Sequence, residues 1–144
     1  MNTIKIIKVE TLINAPIEKV WAFWTAPEHI TKWNHASEDW HTTRAENDLR
    51  IGGKFLSRME AKDGSFGFDL VGFYDSILTY EKISYTLLDD RTVTILFLPK
   101  DGDVKIIETF EAENENSKEL QKFGWQAILN NFKAYIESSI NINA

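Results

Sequence analysis

Residues 50 to 113 read RIGGKFLSRMEAKDGSFGFDLVGFYDSILTYEKISYTLLDDRTVTILFLPKDGDVKIIETFEAE, and no other part of the chain narrows its fold as far. Apolar and polar side chains alternate with a period of two over segments 51–60, 66–76, 82–89, 92–98 and 104–112, the signature of half-buried strands. Between them stand KDGS, LDDR and KDGD, whose Asp-Gly and Asp-Asp pairs suit tight reversals, so successive strands are expected to be antiparallel neighbours. Paired glycines only weaken a regular strand, and Gly52-Gly53 therefore marks a bulge or a strong bend.

Such a sheet has an apolar face that needs a cover. The candidate is SKELQKFGWQAILNNFKAYIESS, residues 117–139, where Trp125, Ile128, Leu129, Phe132 and Ile136 recur at steps of three and four. Ser117 is the expected N-cap of this helix, with Glu119 close behind it. At the other end, residues 4–13 read as a first strand, with Ile4, Ile6, Lys8, Glu10 and Leu12 on one face and Ile7, Val9, Thr11 and Ile13 on the other. NAPIEKVWAFWT then starts a helix, with Asn14 as expected cap, Pro16 in its first turn and Glu18 complementing its dipole. Ile17, Val20, Phe23 and Trp24 follow helical spacing, Pro27 interrupts, and PEHITKWN forms a second short helix. Residues 35–50 read as polar and irregular. The expected architecture is α+β in one domain, residues 1–144: a curved antiparallel sheet of about six strands around a long C-terminal helix, with two short helices after the first strand.

Composition removes several functions. The chain has no cysteine, which excludes disulfides, thiolate zinc sites and cysteine nucleophiles. Its net charge is −6 and the 16 basic residues are scattered, whereas a duplex-binding surface needs them clustered, so no nucleic-acid partner is expected. No apolar run is long enough to cross a bilayer, so membrane insertion is not expected either. The first ten residues alternate charge with apolar side chains rather than forming a signal peptide, and a cytoplasmic monomer is the expectation. RIGGKF lacks the G-x-G-x-x-G spacing and opens no helix; neither a cofactor fingerprint nor a nucleophile–histidine–acid set is present.

Four motifs occur in order: a proline after the first strand with Val20-Trp21 behind it, the P-E-H…W turn of residues 27–33, R-I-G-G at 50–53, and the late Gly124-Trp125. From about Val9 to Glu137 the chain resembles the START-like (SRPBCC) superfamily with its helix-grip fold, and within it the family named after the activator of the heat-shock protein 90 ATPase. The resemblance implies a deep apolar cavity between curved sheet and C-terminal helix. Its members include lipid and polyketide binders, aromatase/cyclases and chaperone co-factors. Fold carries over from such a likeness much better than activity does. The single short domain lacks the extra N-terminal domain that co-chaperones of this type carry, so a non-catalytic binder of a hydrophobic small molecule is the expectation, with a chaperone partner or a polyketide cyclase-like reaction as the alternatives.

Cavity candidates follow from face and position. Trp33 and Trp40 flank the segment joining the short helices to the sheet; Phe55 and Met59 share one strand face; Val71 and Phe73 share another, alternating with Leu70 and Tyr74. Trp125, Ile128, Leu129 and Phe132 come from the final helix, and Tyr85 is a further ligand contact, while Trp21 is expected behind the sheet. Tyr74, Tyr85 and Tyr135 could supply hydroxyl donors, although core tyrosines with their hydroxyls at the surface are the default. Asp69 and Glu108 stand among apolar neighbours; alternation allows either face, and the water-facing placement is the expectation. Turned inward, either would orient a ligand or act as a general base, with Arg50 or Arg58 as possible partner. His35 and His41, with Glu38 and Asp39, lack metal-ligand spacing, so a solvated loop is expected there; His29 is expected to cap or pack within the turn.

Overall fold

The computed structural model describes residues 5–142, with side chains to residue 139; Ile4, placed in the first strand from sequence, lies outside the described residues. The elements follow the order β1 (Ile6–Ile13), α1 (Ile17–Thr25), α2 (Pro27–Trp33), β2 (Trp40–Asn47), β3 (Lys54–Ala61), β4 (Gly67–Leu78), β5 (Lys82–Leu87), β6 (Thr92–Lys100), β7 (Asp103–Glu111) and α3 (Lys118–Ile142). All pairings are antiparallel, in the order β1-β7-β6-β5-β4-β3-β2, so a six-strand meander ends beside the first strand. The sheet curls into a half-barrel around α3.

There are seven strands rather than about six. The added one is β2, within the stretch read as irregular, and it is an edge strand. Edge strands carry charge on their free side, which hides the alternation that marks a strand. Here Arg44 and Glu46 provide that charge, and a register shift between Thr42 and Arg44 breaks the period further.

The hairpin turns form where the Asp-Gly and Asp-Asp pairs stand: Gly64, Asp90, Asp101 and Gly102 all have positive φ. Gly52-Gly53 lies in the turn before β3 rather than inside the strand. The turn is pinned to β4, with Gly52 N donating to Tyr74 O and Tyr74 N to Gly53 O, at 2.8 and 3.0 Å. A Cβ on Gly53 would stand 2.1 Å from the Asp48 carbonyl oxygen. Gly53→Ala is therefore expected to lower stability by about 2–3 kcal/mol in urea unfolding, because backbone rather than a movable side chain must yield.

Two helix starts separate expectation from outcome. Ser117 caps α3, its Oγ accepting from Leu120 N at 3.1 Å. Asn14 does not cap α1: the N-cap is Pro16, without a side-chain hydrogen bond, and Asn14 N instead donates to Glu137 Oε2 at 2.9 Å. An extended residue is required before helix-initiating geometry, and proline's fixed φ meets that need without a capping side chain.

The core fills one end of the half-barrel. Val9, Ile95, Phe97, Ile106 and Phe110 face inward from β1, β6 and β7 and meet Leu129, Phe132 and Ile136 of α3, all within 1% exposure. Trp21 joins this inner side rather than packing behind the sheet, with its ring edge-on to Phe97 at 5.3 Å. Its helix packs against β7 and α3, the elements that make this inner side.

Candidate functional site

Towards β3, β4 and β5 the sheet and helix diverge and leave a cavity of about 420 Å³. Phe55, Ser57 and Met59 line it from β3, Leu70 and Tyr74 from β4, and Ile83 and Tyr85 from β5; each set keeps the period of two that puts alternate side chains on one face. The N-terminal half of α3 closes it with Leu120, Gly124, Trp125 and Ile128. One turn further along, Leu129, Phe132 and Ile136 are sealed in the core. The single apolar stripe of α3 thus does two jobs along its length.

An aromatic plug separates hollow from core. Trp24 and Trp33 lie 4.9 Å apart and each meets Phe132 in a T-shaped contact at 5.0 Å. Trp33 Nε1 donates to the Phe23 carbonyl at 3.0 Å, satisfying its polar end and fixing the ring as a wall. Opposite, Phe55 packs edge-on against Tyr85 at 4.6 Å. Its ring lies over Gly72, where a Cβ would come within 2.4 Å of Phe55 Cε2. Trp125 stacks on Phe110 with centroids 3.8 Å apart.

The polar groups inside are few and unequal. Tyr74 donates its hydroxyl proton to Asn47 Oδ1, while burial pushes the phenol well above its ordinary pKa. Tyr85 is also pushed well up, first by burial and then by the nearby Glu108 carboxyl; its hydroxyl has no hydrogen bond among the described residues. Glu108 corrects the water-facing expectation: it is 7% exposed, on the inner face of β7, and has neither hydrogen bond nor ion pair among the described residues. Desolvation raises its pKa to about 8, so it is uncharged at neutral pH. Asp69 does face out, within 3.4 Å of Arg58 Nη1.

Of the residues expected at the cavity, Trp33, Phe55, Met59, Tyr85, Trp125 and Ile128 line it. Asp69, Val71 and Phe73 do not, because β4 presents its other face inward; Phe73 is 43% exposed. A period of two groups residues by face without saying which face is buried, and the phase came out reversed. Leu129 and Phe132 lie in the core, beyond the plug. Trp40 stands outside the lining, its ring 6.0 Å from both Phe66 and the lining residue Phe68. Sequence reasoning missed Trp24, Phe68, Ser57 and Glu108. Two signals were available: Asp69 and Asp75 share the face of Val71 and Phe73, and Glu108 shares its face with Val104, Ile106 and Phe110.

The histidines stay outside the cavity wall. His29 stacks on Phe23 at 3.9 Å and its Nδ1 shares a hydrogen bond with the Tyr135 hydroxyl at 2.8 Å. His35 is partly buried rather than solvated, its Nδ1 has no partner among the described residues, and burial lowers its pKa. Among the described residues no group of three histidine, aspartate or glutamate side chains could hold a metal ion.

This arrangement has relatives. Residues 14–137 match the family described as activator of Hsp90 ATPase homolog 1-like protein. The chain belongs to this family. A solution structure of an AHSA1-like protein from Aeromonas hydrophila is 41% identical, with a TM-score of 0.88 and 94% of each chain covered. A solution structure of a protein from Cytophaga hutchinsonii is 48% identical, with a TM-score of 0.81 and 94% of each chain covered. A crystal structure of a protein from Nitrosomonas europaea, at 17% identity and TM-score 0.80 over 94% of this chain and 96% of that one, shares the fold alone. No curated protein matches the chain. The family has the START-like architecture, known for ligand binding. Among the described residues no helix is long and apolar enough to cross a membrane.

Proposed function

We propose that this family member binds a hydrophobic small molecule, aromatic, polyketide-like or lipid-like, in the cavity between sheet and α3. The observation that carries the reading is the hollow itself: about 420 Å³, walled by Trp24, Trp33, Phe55, Tyr74, Tyr85 and Trp125. Natural interiors are packed to near-crystalline density, so a space of this size lined by rings is a site for a guest. Desolvation of the rings drives binding and the few polar groups set orientation. At roughly 0.3 kcal/mol per heavy atom, a ligand of about 20 atoms would bind with a Kd of tens of micromolar.

Gly124 offers the test. A Cβ there would meet nothing within 4 Å, so Gly124→Leu puts a side chain into the space while improving helix propensity by roughly 1 kcal/mol. Titration with flavonoid, polyketide and fatty-acid panels is expected to give saturable changes in tryptophan emission, weakened at least tenfold by Gly124→Leu with melting temperature preserved. If no panel member perturbs Trp33 or the Trp125 region of α3, the reading is wrong. The family description also suggests a chaperone partner; stimulation of a chaperone ATPase that is equal in wild type and Gly124→Leu would replace cavity binding with a surface interaction. A cyclase-like reaction in the same space would have to use Glu108, the inward carboxyl, and loss of a turnover in Glu108→Gln would mark it.

A further inference from the structure

We propose that Glu108 and Tyr85 form a neutral hydrogen-bonding site inside the cavity, which selects aromatic ligands carrying a carbonyl or phenol oxygen over plain hydrocarbons. The inference rests on the cavity reading above and adds the chemistry of the guest.

The two residues stand on β7 and β5 with β6 between them and two residues apart in register, their backbones roughly 12 Å apart at normal strand spacing and rise. Ile95 of β6 pairs with both Glu108 and Ile83, and Val93 with Tyr85, so the intervening strand presents only aliphatic side chains to this part of the cavity. Neither oxygen-bearing group has a protein partner among the described residues, although both line the hollow. Their oxygens are not sealed in the protein, since among the described residues the fully enclosed side-chain polar atom without a partner is His35 Nδ1; they open onto the hollow with their bonding capacity unused by the chain. A guest oxygen is what would take it up.

The protonation state decides which guest. A carboxyl held among apolar side chains with no counter-charge stays protonated at neutral pH, and in that form it donates a hydrogen bond. The other titratable groups on the lining are Glu46, Tyr74, Arg91 and Glu113. Arg91 is held by Asp89 at 2.8 Å, and Tyr74 is committed to Asn47. From α3 comes uncharged Gln121, whose amide is bonded to the Glu113 and Asn116 carbonyls at 3.1 and 2.9 Å. No lining cation is therefore free to turn Glu108 into a carboxylate. Glu108 supplies the stronger donor and Tyr85 a second one. A ketone or phenol oxygen meets both, whereas a hydrocarbon leaves both unpaired.

The test compares 2-acetylnaphthalene with 2-isopropylnaphthalene, equal in heavy atoms and differing in the oxygen. At pH 6.5 wild type is expected to favour the ketone relative to Glu108→Leu, the ratio of the two dissociation constants falling at least tenfold in the variant. Tyr85→Phe lowers that ratio about threefold. In wild type the preference declines as pH rises from 7 to 9, because ionised Glu108 can only accept; Glu108→Gln, which keeps an N–H donor, holds a preference independent of pH. If both naphthalenes bind but the ratio is unmoved by Glu108→Leu and by pH, the polar site is refuted while the cavity stands. If neither binds, cavity and polar site fall together. Binding of 2-naphthylethylamine that is tighter than that of the ketone at pH 6 and unchanged from pH 6 to 9 would show Glu108 already an anion at neutral pH and overturn the assignment.

Discussion

Glu108→Gln is expected to stabilise the chain at pH 8 by on the order of 4 kcal/mol and to leave it unchanged near pH 4. The sign follows from proton counting. In the unfolded chain this carboxyl titrates near 4.5, and in the folded chain at about 8. Below the lower value both states are protonated and the group is neutral with respect to folding. Between the two, the folded state must retain a proton that the unfolded state releases, so stability falls by roughly 1.4 kcal/mol per pH unit. Above 8 both are ionised and the loss stays constant. Glutamine has the same shape and never charges, so it removes the whole slope. For a domain of this size the gain corresponds to about 10 °C in melting temperature at pH 8. Thermal unfolding of wild type and variant at pH 4, 6 and 8 gives the answer; a pH-independent difference between the two would show that Glu108 is not desolvated in the folded state. Forfeiting several kcal/mol of a typical 5–15 is a large concession for a fold to make. A carboxyl retained at that cost fits a residue kept for what it binds rather than for what it holds together.

Phe132→Ala is expected to cost about 3–5 kcal/mol, whereas Ile128→Ala, one turn earlier on the same helix, costs less than half as much. Phe132 is fully buried and makes T-shaped contacts with both Trp24 and Trp33, so its removal leaves a new void and unseats the plug. Ile128 already borders empty space, and its truncation enlarges an existing hollow. The expense of a large-to-small change scales with the cavity it creates, so the two positions should part clearly in urea denaturation. Equal losses would mean that the hollow and the core are one packing unit, and the separation by the tryptophan plug would be wrong.

Much of the fold is legible because turn chemistry and periodicity are local. Asp101-Gly102 adopts positive φ wherever such a pair joins two strands, and the stripe from Trp125 to Ile136 faces an apolar partner whatever that partner is. β2 escaped because an edge strand need bury only part of one face, and its bulge near Thr43 breaks the alternation. The site was less legible than the fold. Phe55, Met59, Trp125 and Ile128 could be named because their faces carry a single apolar choice, while β4 offers Phe73 and Val71 on one side against Leu70 and Tyr74 on the other.

What the sequence determined by itself is which residues stand together: the strands and their reversals, the helix and its stripe, and the family those motifs announce. Only the tertiary structure decided which side of β4 turns inward, that Glu108 is enclosed without a counter-charge, and that α3 meets solid core at one end and a hollow at the other. The physical reason is that periodicity is a property of neighbouring residues, whereas burial depends on the curl of a sheet whose edges are far apart along the chain.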